Sequence, residues 1–149
     1  MHHLAFSMEF RGHSTPLSPG VLTTRATAPS GGLLTRIDGR GVHGEFQAVD
    51  GGEALIERRL TFVDDTAFEE VGTMSFGRGN SLRWRSVGLG MLAPSADAGL
   101  RHGTVASVVD GGAGAFAHAS GRIVSNFLLA ESGEITDREL GVVFVEVSV

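Results

Sequence analysis

The chain has 149 residues, 42% of them hydrophobic, and a formal net charge of −5. One domain with a substantial core is therefore expected, and a basic nucleic-acid-binding face is not. No cysteine is present, which removes disulfides, thiolate metal sites and a cysteine nucleophile. No apolar run approaches the roughly 20 residues that span a bilayer. The first residues, MHHLAFSMEF, lack the basic and long apolar regions of a secretory signal, so a cytoplasmic protein with no membrane partner is expected.

Glycine is abundant (22) and proline scarce (4), and many glycines lie beside Val, Thr and Phe, a pattern of turns and bends in β structure. Leu4 to Phe10 alternates loosely and reads as a first strand, followed by a loop through His13-Ser14-Thr15-Pro16 and Ser18-Pro19-Gly20. Val21 to Thr27 reads as the second strand, stopped at Pro29-Ser30-Gly31-Gly32. Leu33 to Ile37 and Val42 to Val49 flank the hairpin turn Asp38-Gly39-Arg40-Gly41. A further turn at Asp50-Gly51-Gly52 leads into a strand from Ala54 to Val63.

Asp64-Asp65-Thr66 turns the chain into Glu70 to Phe76, and Gly77-Arg78-Gly79-Asn80 is a hairpin loop before Leu82 to Met91. Leu92 to Leu100 is the one long connection. Strands follow at Arg101 to Val109, Arg122 to Leu129 and Leu140 to Val149, with a turn at Glu131-Ser132-Gly133-Glu134. No segment sustains a 3.6-residue period. The reading is all-β: a single-domain, eight-stranded (eight to ten) antiparallel up-and-down barrel. Closure removes exposed strand edges, and in-strand glycines (Gly72, Gly88, Gly90, Gly103) suit bent strands.

Between two of these strands lies Val109-Asp110-Gly111-Gly112-Ala113-Gly114-Ala115-Phe116, followed by Ala119-Ser120-Gly121. The glycines allow a tight corner, and Phe116 is the plug that seals it. This run resembles the corner signature of allene oxide cyclases and dirigent proteins, with Ala113 in place of the usual threonine. The resemblance covers about twenty residues and implies a small calycin-like barrel, often oligomeric, with an apolar cavity. It further implies a cyclase or isomerase reaction on a small molecule.

Strand parity decides which side chains share a face. The even positions of Ala54 to Val63 are the more apolar and carry Arg58 inward; Glu70 shares a face with Gly72, Met74 and Phe76. The functional reading has Phe46, Met74, Phe76, Trp84, Phe127 and Phe144 lining a cavity, with Ser125 or Asn126 orienting a ligand. Arg58 and Glu70 form its polar end. There Arg58 holds an enolate or carboxylate while Glu70 moves a proton. His102, after the long loop, is placed at the cavity mouth as a general acid or base. Against this stands a plain aromatic core, a solvated rim ion pair and an exposed histidine.

Six histidines show no metal-binding spacing, so no metal and no cofactor are expected. Three functions remain open. One is a cofactor-free isomerase or cyclase of an apolar oxygenated molecule, the second a lipocalin-like carrier without chemistry, and the third a structural or oligomer-forming barrel whose interior is simply packed. Apolar residues on both faces of Leu82 to Met91 and Leu140 to Val149 lead to an expected homo-oligomer, a dimer or trimer.

Overall fold

A computed structural model describes residues 1–146. It is all-β apart from one 3₁₀ turn at Gly114–Phe116. The strands are β1 (His2–Ser18), β2 (Val21–Asp38), β3 (Gly41–Phe62), β4 (Ala67–Ser75), β5 (Ser81–Ser86), β6 (Gly90–Pro94), β7 (Leu100–Ala113), β8 (Ser120–Ala130) and β9 (Glu134–Val145). Every pairing is antiparallel. β9 returns to β1, and the β3–β4 pairing closes the nine-stranded sheet into a barrel-like ring of hydrogen bonds. β5 and β6 occupy one lane between β4 and β7, broken at Val87-Gly88-Leu89. The expected strand from Leu82 to Met91 is that lane.

Three turn expectations are corrected. β1 continues through His13-Ser14-Thr15-Pro16 to Ser18, because this run pairs with β2, and His13 also pairs with Glu134 at the start of β9. Pro16 is tolerated beside a bulge. Pro29-Ser30-Gly31-Gly32 and Asp50-Gly51-Gly52 likewise do not end strands; they face each other as an irregularity inside the β2–β3 pair. Leu92 to Leu100 is the end of β6 followed by a short turn, in which Leu100 N–H donates to the Asp97 carbonyl.

The corner behaves as its glycines require. Gly111 and Gly114 have φ of 77° and 62°, and a Cβ at Gly112 would strike the Ser81 carbonyl. Asn80 Oδ1 accepts the Ala115 N–H at 3.0 Å. Phe116 is half-buried and packs on Phe76 with ring centroids 5.2 Å apart, plugging that end of the ring.

Inside, four aromatics lie flat over glycines directly across from them: Trp84 over Gly72, Phe68 over Gly90, Phe127 over Gly103 and Phe6 over Gly141. Glycine is needed there for space, since a large ring fills the pleat a partner side chain would occupy. This makes the interior a packed one, with Phe10, Phe68, Trp84, Phe127, Ile56 and Met74 among its fully buried side chains. A Cβ at Gly103 would lie 2.0 Å from the Phe127 ring. Gly103→Ala is therefore expected to cost about 1–3 kcal/mol and lower the unfolding temperature by about 3–10 °C. Gly39→Ala, where a Cβ meets open space, is the matched control in the same thermal melt.

Candidate functional site

Halfway along the ring the apolar interior is interrupted by charge. Arg58 projects inward from β3, as its even parity predicts, and Glu70 faces it from β4. Asp137 and Glu139 reach the same point from β9, and Ser125 and Ser107 from β8 and β7. All six side chains are buried. Arg58 Nη1 lies 2.8 Å from Asp137 Oδ2, 3.3 Å from Glu70 Oε1 and 3.9 Å from Glu139 Oε1.

Hydroxyls complete the cluster. Ser125 Oγ accepts from Arg58 Nη1 at 3.1 Å and donates to Asp137 Oδ1 at 2.6 Å. Ser107 donates to Glu70 Oε2 at 3.2 Å. The Arg58 guanidinium stands 4.6 Å above the Phe127 ring centroid, a favourable placement for a desolvated cation. Among the described residues five buried side-chain atoms have no hydrogen-bond partner: Arg58 Nε and Nη2, Asp137 Oδ2 and both Glu139 oxygens. Asp137 Oδ2 is close to Nη1 but off its N–H axis, so that contact is an ion pair without an aligned hydrogen bond.

One guanidinium cannot balance three buried carboxylates. Burial pushes the Glu139 carboxyl well above the usual carboxylate range; Asp137 and Glu70 push it further, and Arg58 opposes them. Burial also raises Glu70, against the pull of Arg58. Arg58 is penalised by burial, yet Asp137, Glu70 and Glu139 hold its affinity for the proton above that of a free guanidinium. The cluster is thus one cation facing three carboxyls, of which Glu139 and Glu70 hold a proton more tightly than an exposed glutamate does. Among the described residues no group of three or more His, Cys, Asp or Glu side chains is arranged for a metal ion.

The structure brings together Arg58, Glu70, Ser125, Phe127, Trp84 and Met74, all buried on the inner face. Phe76 lies at the end of the ring rather than beside the charges. Four expected positions are corrected. His102 is exposed on the outer face of β7, opposite Leu128. Asn126 points outward because Ser125 takes the inner face. Phe46 sits on a projecting part of the β2–β3 hairpin, opposite Leu33. Phe144 is 41% exposed on the outside of β9.

Phe144 misleads because β9 inverts the ordinary pattern. Its inner face is Ile135, Asp137, Glu139, Gly141 and Val143, and its outer face carries Leu140, Val142 and Phe144. No protein-family model, curated protein or solved structure matches this chain. The missed residues Asp137, Glu139 and Ser107 carry one sequence signal: Asp137 and Glu139 are alternate positions in a strand otherwise rich in Val and Leu. Among the described residues no helix is long and apolar enough to cross a membrane.

A depression of about 220 Å³ at one end of the ring is bordered by Met8, Ala28, Pro29, Ser30, Glu53 and Phe76. Met8, on its border, lies directly across the β1–β9 pair from Glu139.

Proposed function

We infer that the protein is a cofactor-free isomerase or cyclase, built on a closed up-and-down barrel of the allene oxide cyclase kind, for a small apolar molecule bearing an oxygen. The observation that carries this reading is the unbalanced interior charge. Three carboxylates around one arginine, with two guanidinium nitrogens unpartnered, is a costly way to fill a core that side chains could fill with carbon. Strongly perturbed acids gathered in a buried spot are the usual mark of a working site. The corner residues from Gly111 to Gly121 support the same kinship.

The division of labour follows from the charges. Glu70, its carboxyl raised by burial against the pull of Arg58, takes a proton from a carbon next to a carbonyl and returns it at another carbon. Arg58, through Nε and Nη2, and the neutral Glu139 acid hold the oxygen while it carries negative charge. No net proton is consumed. The depression beside Met8 is smaller than the roughly 300–1,000 Å³ that encloses drug-sized ligands, so the substrate is small or enters by one end. A carrier of a purely apolar ligand has no use for this ionic interior.

Glu70→Gln is expected to lower turnover by about 100- to 10,000-fold while sparing the fold. The assay is deuterium uptake from D2O into a panel of small enolisable ketones, read by mass spectrometry. Wild-type protein that leaves every ketone unlabelled, yet retains one of them in native mass spectra, is a carrier. Equal labelling by wild type and Glu70→Gln removes Glu70 from the chemistry.

A further inference from the structure

The β2–β3 hairpin runs well past the ring. β1 pairs with β2 only as far as Thr27, and β4 pairs with β3 only as far as Leu55. Residues 31–38 and 41–48 are then paired with each other alone, as a two-stranded arm with both edges free. Such a ribbon is marginally stable in water at best.

The arm is two-faced. Residues directly opposite each other share a face. One face pairs Leu33 with Phe46, Thr35 with Gly44 and Ile37 with Val42, and bears no charge. The other carries Glu45 beside Leu34, Arg36 beside His43, and Asp38. Ile37 and Val42 are 76% and 69% exposed. Arg36 and His43 both lie against Asp38, at 3.8 and 3.4 Å.

A second apolar surface lies on the outside of β8 and β9. Leu140 stands opposite Val124 on one side and Ser7 on the other, and Val142 opposite Ala5, with Phe144 next along the strand. All four large residues are exposed. Arg122, opposite Val142, is the charge set among them.

We propose that two copies of this chain form a two-fold dimer in which the apolar face of each arm lies on the β8–β9 outer face of the other. The magnitude of the contact selects this arrangement. An eight-residue ribbon is about 27 Å by 10 Å, so one arm on one partner removes on the order of 500 Å² from water, counting both sides. That is the scale of crystal packing. A reciprocal pair removes about 1,000 Å², where specific interfaces begin. A lipid surface fits less well, because Arg36 is already held by Asp38 and the chain is acidic overall. This inference is independent of the interior chemistry.

Light scattering and sedimentation at micromolar concentration test it. Wild type is expected to be a dimer. Ile37→Glu with Val42→Glu on the arm, and Leu140→Glu with Val142→Glu on the sheet, are each expected to weaken it about 100-fold or more. Mixed together, the two variants should associate through their one intact arm and one intact face, more weakly than wild type. A wild-type monomer or trimer overturns the proposal, as does an arm variant that stays dimeric. A sheet variant that stays dimeric overturns it too, since arms would then meet only arms. Circular dichroism checks folding; should the sheet variant not fold, Leu140→Ser with Val142→Thr replaces it.

Discussion

Arg58→Met is expected to destabilise the protein by about 3–5 kcal/mol at pH 8, a large part of the about 5–15 kcal/mol typical of a whole domain. The methionine that replaces it is similar in length and apolar, so the cavity left is small and the loss is mainly electrostatic. Glu70, Asp137 and Glu139 would face one another across a dry interior with no cation between them. Lowering the pH should return much of the stability, because protons neutralise the acids that Arg58 no longer balances. Adding Glu70→Gln, Asp137→Asn and Glu139→Gln to Arg58→Met should do the same at pH 8, since all four members are then neutral. Urea unfolding midpoints at pH 5 and pH 8 measure each of these. An Arg58→Met midpoint equal to that of wild type at both values would mean that the four groups do not act as one network.

Part of this cluster is legible in the sequence, and the rest is hidden for a physical reason. In β3 the inner face is the apolar one, Ile56 and Leu60 flanking Arg58, so parity alone carries the arginine inside. In β4 the same reasoning carries Glu70 inward with Met74. Parity fails at β9 because it presumes that apolar residues face the core. There Leu140, Val142 and Phe144 face outward and two acids face inward, as a strand would if it served a site inside and a partner outside. The same strand therefore supplies the missed half of the charge cluster and the surface to which the arm is matched.

Strand limits were obscured in a related way. Proline, serine and glycine runs at Pro29 to Gly32 and Asp50 to Gly52 have the composition of turns. They lie across from each other, however, and a pair of such runs can be absorbed as a bulge between long strands. One consequence is that the four short strands expected before Val63, beyond the first, are two long ones and their extension is the arm. The glycines at 72, 90 and 103 were legible as β-structure glycines, but their reason is the aromatic ring lying over each, which no single strand displays.

The stability of the wild-type protein is expected to fall as pH rises from 5 to 8, and Glu139→Gln is expected to flatten that fall. The ordinary value for a glutamate is 4.5, and burial beside Asp137 holds Glu139 well above it in the folded state. Below the ordinary value both folded and unfolded chains carry the proton, so its stabilising contribution is fully present. Above it the unfolded chain releases the proton while the folded chain keeps it. Each further pH unit then favours unfolding by about 1.4 kcal/mol, until the pH passes the raised folded value and Glu139 ionises. Glu70, raised by burial, acts in the same direction. Glu9 and Asp64, which are lowered by their hydrogen bonds with Arg11 and with the Ala67 backbone N–H respectively, act in the opposite one, below pH 5. Glutamine keeps the shape of the protonated acid and cannot ionise. The variant should therefore match wild type near pH 5 and exceed it at pH 8 in urea melts taken at each unit between. Parallel curves for the two proteins would place the retained proton on another group and leave Glu139 without its assigned part as the neutral acid.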